Sequence, residues 1–466
     1  MNARDASLEG AGAPPPAGVE SPLAAYRARR DRLAASLRAA GAARLGLAKD
    51  TSNLFRDRAP STKRLIDVRA FDHVLAVDTT AGEVDVEGMT PYEILVAATL
   101  ERGVMPAVVP ELKTITVGGA AAGVGIEASS FRHGLVHESL SEYDVLLGDG
   151  RVVTCRADNE HADLFYGFPN SYGTLGYALR VRARVAAVKP YVELTHRRFH
   201  EPGRCFDALA EACAGDADFV DAVAFGPSDY VLNVGRFVAR APYTSDYTYE
   251  KIFYRSLKER EVDYLTVHDF IWRWDTDWFW CSKNVGAQNP ILRRLYGRKR
   301  LGSRHYQRIM RWNSRRGYTH AWFKFRGGHH ESVIQDVDIP ISEAPRFLDF
   351  FQREIGIAPV WMCPMRTGVD AGRFPLFPIR PGSLYVNFGF WDMLHRRTTH
   401  PDGHFNRLIE AEVLRLGGIK SLYSDSYFER DAFDVAYGGD RYRELKAKYD
   451  PQGAFPELYA KCVLRG

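Results

Sequence analysis

Glycines set at close spacing are the first residues here that bear on chemistry. Between Thr114 and Gly134 the chain carries Gly118, Gly119, Gly123, Gly125 and Gly134 around Ala120, Ala121 and Ala122. With no side chains in the way, backbone amides in such a stretch can approach another molecule closely, and the expected partner is large and flat. A dinucleotide-binding Gly-x-Gly-x-x-Gly turn is the first candidate, and it fails on context. Gly123-Val-Gly125 runs into Ile126-Glu-Ala128, and no strand-then-helix unit with an acidic residue roughly 20 positions on can be drawn. Elements further along must therefore shape the site. Ser141 to Thr154 reads as a hairpin turning through Gly148-Asp-Gly150. Asp163 to Tyr177 then forms a second glycine-punctuated loop with Gly173, Thr174 and Gly176, leading into an alternating strand from Ala178 to Val188.

This succession resembles the flavin-binding domain of the vanillyl-alcohol oxidase and p-cresol methylhydroxylase family. There, one loop carries Thr-Val-Gly-Gly and a later glycine, a hairpin carries Asp-Gly, and a loop of the form Asp-Leu-Phe…Gly-Thr-Leu-Gly follows. From about Leu45 onward the chain looks most like the branch holding delta-24-sterol reductases and actinobacterial reductases of methylene-branched fatty acyl chains. Thr51-Ser-Asn-Leu-Phe-Arg56 and Pro169-Asn-Ser-Tyr-Gly-Thr-Leu-Gly-Tyr177 look closer to the bacterial group. The resemblance implies an α+β fold: a two-subdomain FAD-binding domain over 21–190, an α+β substrate or cap domain over 191–416, and a segment 417–466 returning to the FAD domain. It implies FAD contacts at Thr116, Val117, Gly118, Gly119, Gly123, Gly125, Ile126, Glu127, Ser129, Ser130, Gly134, Gly173, Thr174 and Gly176. The family's first phosphate loop corresponds to Arg44–Arg56, where Lys49, Thr51, Ser52 and Asn53 stand in place of glycines and can bind phosphate themselves. Some relatives tether the flavin through a histidine in this loop. No histidine lies between Met1 and Phe71, so the FAD is expected to be held non-covalently.

The bulk numbers fit such a protein. A chain of 466 residues suggests two or three domains, and 45% hydrophobic content supplies ample core. A net charge of +4 implies no general polyanion partner, and nucleic acid is not expected. The six cysteines are scattered without a Cys-x-x-Cys pair, which suggests neither a zinc site nor a disulfide framework and fits a reducing cytoplasm. Met1 to Glu20 lacks the apolar core of a secretion signal and reads as a disordered tail. No run of about 18 apolar residues suggests a membrane-spanning helix.

Ser21 to Ala43 reads as a helix stopped by Gly41, and Thr90 to Gly103 as a helix with Thr90 as N-cap. From Tyr191 the elements mix polarities, as a cap domain would. Phe270 to Cys281 holds four of the eight tryptophans, fitting a packed core, a tunnel wall or a surface meeting lipid headgroups. Next, Arg293 to Arg316 contains ten cations and no acid, interleaved with apolar residues. Such a segment asks for a counter-surface, and anionic membrane is the expected one, giving a cytoplasmic protein with peripheral membrane contact.

The resemblance implies reduction of a carbon–carbon double bond in a hydrophobic lipid, a sterol side chain or a methylene-branched acyl chain, with NADPH as electron donor. An isolated alkene has no carbonyl to accept hydride, so protonation of the less substituted carbon, then hydride transfer, is the workable order. That order needs a dry pocket, a proton donor and aromatic faces for a transient cation. Gly417 to Phe428 is similar to the family's returning segment, which offers Tyr423 and Tyr427 as acids, with Asp425 as a partner. His330 and Glu331 are the next candidates. The same flavin domain also serves oxidation of alcohols and hydroxy acids, which is the alternative enzyme class, and a binding scaffold without turnover is a third reading.

Overall fold

In a computed structural model, residues 21–41, 43–49, 55–56, 62–316, 327–368 and 370–465 are described. Residues 1–20 and the positions Thr51, Ser52 and Asn53 lie outside that set. The first helix runs Pro22–Ala39, with the Ser21 hydroxyl accepting from the Ala24 amide at 3.2 Å, and the chain leaves it through Gly41 at φ +73°. The next helix is Tyr92–Leu100. Its N-cap is Pro91 rather than Thr90, because the Thr90 amide already donates to Glu87 and its hydroxyl reaches no partner.

Two larger sheets carry the rest. One has six strands in the order Val74–Asp78, Glu83–Glu87, Tyr177–Ala187, Leu140–Leu146, Val152–Cys155, and Val104–Pro106 also pairs with Tyr177–Ala187. The expected hairpin is there, formed by Leu140–Leu146 and Val152–Cys155. The glycine stretch is not a plain loop. It folds as two short helices, Val117–Ala122 and Ser130–His133, with the Thr116 hydroxyl capping the first by accepting from Gly119 at 3.3 Å. Gly118 is placed by contact: a Cβ there would lie 2.8 Å from the Gly88 carbonyl oxygen and 2.9 Å from that of Ala178.

The second sheet has eight strands ordered Val262–Thr266, Tyr191–Phe199, Asp229–Val238, Phe219–Gly226, Val360–Arg366, Leu384–Arg396, His329–Pro340, Ile419–Lys420. Strand alternation splits its side chains between two faces. Val386, Phe388 and Phe390 pack with Phe206, Leu209, Phe347, Ile409 and Val413 from helices Pro202–Ala214, Ala344–Phe350 and His404–Arg415. Trp361, Cys363 and Tyr385 belong instead to the core shared with the glycine stretch and the six-stranded sheet. In register, Trp361 pairs with Gly389 and Gly389 with Asp336, while Trp391 pairs with Ile334.

The final segment returns to the start of the chain. The Phe55 amide donates to the Tyr423 carbonyl at 3.0 Å, the Asp425 amide to Phe55 at 3.2 Å, and the Leu45 amide to Ala454 at 2.8 Å. No described helix is long and apolar enough to cross a membrane.

Candidate active site

A cavity of about 420 Å³ opens where these elements meet. Gly119, Gly123 and Gly125 from the central stretch and Gly173 and Gly176 from the second loop form one part of its wall. The large sheet supplies Ile334, Asp336, Trp361 and Trp391, one face of three neighbouring strands. Trp278, Phe279 and Tyr306 come from the aromatic and basic segments, and Ser421 and Tyr423 from the returning segment.

The aromatic wall is continuous. Phe279 lies 4.5 Å from Trp391 and 5.5 Å from Trp361 between ring centroids, and Trp278 stacks on Tyr306 at 4.5 Å. Trp278, Phe279 and Trp280 hold φ values of 55°, 50° and 57°, a left-handed run that side-chain-bearing residues adopt only when tertiary packing compels it. Packing does compel it, since Trp272, Trp274, Trp278 and Trp280 are all buried. That excludes the reading of this cluster as a surface for lipid headgroups and leaves core and cavity wall.

The glycines differ in what they do. Gly119 is exposed, and a Cβ there would meet only the Thr116 hydroxyl within 4 Å, so its bare backbone faces open space. Gly125 is buried, and a Cβ would press to 2.7 Å on Val136 and 3.2 Å on Pro110, so its missing side chain makes room for protein. Beside them, Arg56 is buried with its guanidinium 5.1 Å from the Tyr172 ring, one nitrogen donating to the Cys462 sulfur at 2.7 Å. Arg56 Nη2 and the Tyr172 hydroxyl are buried without a hydrogen-bond partner among the described residues, and both residues line the cavity. A bare backbone beside an orphaned cation and an orphaned hydroxyl fits a flat, polar, anionic cofactor.

Residues 28–156 match the FAD binding domain family. The chain is 28% identical to human Delta(24)-sterol reductase over 415 residues, covering 83% of this chain and 75% of that protein. It is 24% identical to the Arabidopsis thaliana Delta(24)-sterol reductase over 437 residues, 85% of this chain and 76% of the other. Over 109 residues it is 36% identical to cytokinin dehydrogenase 7 of Oryza sativa subsp. japonica, 23% of this chain and 21% of that one. The chain is an FAD-binding, sterol-reductase-like flavoprotein. As an enzyme it is an FAD-dependent oxidoreductase.

Of the positions expected to hold FAD in this flavoprotein, Lys49, Thr116, Gly118, Gly119, Gly123, Gly125, Ile126, Gly173 and Gly176 line the cavity. Others support the wall from behind. Val117 is core, the Ser129 hydroxyl donates to the Ala107 carbonyl at 2.9 Å, and Ser130 accepts from the Glu127 amide at 3.1 Å. Gly134 ends its short helix at φ +76°, and the Thr174 hydroxyl donates to Ser171. Glu127 is committed to Arg273, whose Nη2 stands within 3.0 Å of Glu111, 2.8 Å of Glu127 and 2.9 Å of Asp221, all buried. One guanidinium among three carboxyls cannot neutralise them all. Burial and its acidic neighbours hold Glu111 protonated well above the usual carboxyl range, against the pull of Arg273.

The expected proton donors separate. Tyr423 lines the cavity; its oxygen accepts from Trp391 Nε1 at 2.8 Å, and burial drives its pKa well above that of a free phenol. Its acidic neighbour is Asp336 and not Asp425 as expected: Tyr423 and Asp336 line the same wall and each shifts the other's titration, whereas the backbone of Asp425 is tied to Phe55 and Lys420. Tyr427 is outside the cavity wall, packed at Gly403 with its hydroxyl 3.3 Å from Arg465. His330 is half-buried and stacks on His395 at 4.3 Å, outside the cavity wall. Glu331 is buried as an acceptor for the Phe405 and Asn406 amides at the start of helix His404–Arg415, with His329 at 2.8 Å. That satisfies its carboxylate structurally and leaves it away from the cavity.

Asp336 was not singled out from the sequence. The signal was present in the two carboxyls, Asp336 and Asp338, set with Gln335 among the apolar residues of Val333 to Pro340, since a strand buries acids only with cause. Burial pushes the Asp336 carboxyl up to about 7, opposed by nearby Tyr423, and pushes Asp338 up to about 8.

Three of the ten cations of Arg293 to Arg316 find acids from elsewhere in the fold. Arg294 pairs with Glu250 at 3.3 Å and Arg298 with Asp246 at 2.8 Å, and Arg304 pairs with Glu93. Arg293 is buried and donates to the Tyr249 and Ala287 carbonyls. The segment's lack of acids in sequence therefore overstated its need for an external counter-charge.

Proposed function

We propose that this oxidoreductase reduces a carbon–carbon double bond in a hydrophobic lipid, a sterol side chain or a methylene-branched acyl chain, with NADPH as electron donor. The observation that carries the reading is the aromatic and aliphatic wall of Phe279, Trp361, Trp391 and Ile334, continuous with the glycine wall and holding a carboxyl and a phenol. Bound FAD would supply hydride transfer. The chain supplies the rest. Gly119 and Gly123 give backbone access, Arg56 and Lys49 offer cations, and the FAD is held without a covalent bond. The aromatic wall excludes water and presents π-faces that stabilise positive charge on an alkyl substrate. The resemblance of most of the chain to sterol reductases supports the alkene as substrate.

The lipid would be met at a membrane surface. Helix Pro290–Tyr296 exposes Ile291 at 71% and Leu295 at 73% beside exposed Arg294, Arg298, Lys299 and Arg300. Apolar side chains flanked by cations suit the interface of an anionic bilayer, and exposed pairs such as Arg298–Asp246 are weak enough to exchange for phosphates.

Anaerobic stopped-flow mixing tests the reading. NADPH should bleach the bound flavin, and a lipid with an isolated alkene should restore its colour. Bleaching by an alcohol or hydroxy acid, with indifference to NADPH, would replace the proposal with the oxidase class.

A further inference from the structure

We propose that Asp336 is the catalytic acid of this site, giving its carboxyl proton to the alkene, with Tyr423 as its positioning residue. The proposal rests on the reading of the enzyme as an alkene reductase.

Geometry carries it. Asp336, Gly389 and Trp361 form one row across three adjacent strands, and Asp336 and Trp361 both line the cavity. Gly389 is the notch in that row. A Cβ there would stand 2.7 Å from Asp336 Oδ1 and 2.4 Å from the Trp391 ring, so only glycine lets the carboxyl and the indole meet across the strand. Trp391 Nε1–H donates to Tyr423 at 2.8 Å, which holds the phenol in the same wall as Asp336. The Asp336 Oδ1 is buried with no partner among the described residues. An orphaned carboxyl oxygen in a cavity wall of tryptophans is either costly or in use.

The surroundings keep the proton on Asp336. From the returning segment it faces Tyr423, from the second glycine loop Tyr172, and from its own strand Asp338. None of these is a cation. Glu111, the other protonated carboxyl in the wall, is 3.0 Å from the Arg273 guanidinium. Asp336 therefore stays a neutral acid up to about pH 7, as a donor working near neutrality must.

The step balances. The O–H bond of Asp336 breaks as a C–H bond forms at the less substituted alkene carbon, and the carboxylate keeps the electron pair. Bound FAD, once reduced by NADPH, would supply the hydride that the tertiary cation takes up, so one proton and one hydride are added. Phe279, Trp361 and Trp391 stand beside that cation. Asp336 regains its proton from water once the product leaves.

The test uses the FAD-loaded protein, NADPH and an isolated-alkene lipid in detergent. In the wild type, lipid-dependent reoxidation should decline as pH rises through about 7, and a profile flat between about pH 5 and pH 9 would overturn the proposal. Asp336→Asn should slow that half-reaction by about 100-fold or more, and Asp336→Glu should recover part of the loss. Near-wild-type reoxidation in the Asn variant would assign the proton elsewhere. An independent readout needs no turnover: in infrared titration of the oxidised protein, the wild-type-minus-Asp336→Asn difference at near-neutral pH should show one carboxylic-acid carbonyl component lost, while those of Asp338 and Glu111 remain. A difference spectrum without that component would refute the assignment. If the Asn variant does not fold, the wild-type pH profile still decides. If the wild type itself is not reoxidised by any alkene lipid, the alkene-reductase reading fails, whereas a normal wild type with a normal Asn variant removes only Asp336.

Discussion

Replacing Tyr423 by phenylalanine removes one oxygen from the cavity wall and leaves the ring, including its edge contact with Phe55 at 5.9 Å. Two interactions go with that oxygen. The part-buried Trp391 indole N–H, donating at 2.8 Å in the native protein, loses its acceptor, which costs about 1 kcal/mol of stability. The second loss is the phenol's polar influence on Asp336, which favours its ionised form. Its removal should therefore raise the Asp336 pKa, by about one unit for each ~1.4 kcal/mol of that preference lost. The direction matters. A carboxyl that titrates at about 7 with Tyr423 in place should titrate higher without it, so the decline of lipid-dependent reoxidation should move to more alkaline pH. The limiting rate should fall by about 10- to 100-fold, because the acid is both weaker and less well placed. Anaerobic double-mixing stopped flow across pH gives both quantities, with the loss falling on the lipid half-reaction rather than on reduction by NADPH. A decline that stays in place or moves to lower pH would refute the coupling of Tyr423 to Asp336.

Four further outcomes are expected. Arg273→Met should destabilise the protein by about 3–5 kcal/mol, because Glu111, Glu127 and Asp221 lose their one buried cation; an unchanged denaturant midpoint would contradict the cluster. Folded Asp338 keeps its proton to about pH 8 while an unfolded aspartate releases it near 3.8, so stability drains as pH rises through that window. Asp338→Asn should remove the drain, and its thermal midpoint should gain on the wild type from acid to alkaline pH. Gly119→Val should yield a folded protein with little FAD, read by absorbance and circular dichroism, whereas Gly125→Val should lose fold and flavin together; in the wild type, heat or acid should release the FAD into the supernatant. Charge reversal at Arg298, Lys299 and Arg300, or Ile291→Ser with Leu295→Ser, should weaken sedimentation with anionic vesicles in a salt-sensitive way while flavin content holds, since each cation near the surface contributes about 1 kcal/mol.

The sequence alone determined what is local or rests on resemblance. Five glycines in Thr114 to Gly134, the Gly-Asp-Gly hairpin and the second glycine loop follow one another in fixed order, and that order brought the FAD-binding domain to light. The Ser21-capped helix and the hairpin were legible for the same reason, as their causes lie within a few residues. Pairings across long separations were not. Asp336 and Gly389 are 53 positions apart, and only strand register makes them neighbours, so an acid on a buried strand looked unremarkable beside the tyrosines of the returning segment. The same distance misled the reading of the basic segment, because Glu93, Asp246 and Glu250 reach it only through folding. Glycine roles also divided in three dimensions, Gly119 facing the cavity and Gly125 facing Val136, since a missing side chain tells nothing about what occupies its space. Chemistry carried by backbone and short spacing is written along the chain, and chemistry made by burial and by strands in register exists only once the sheets have closed around it.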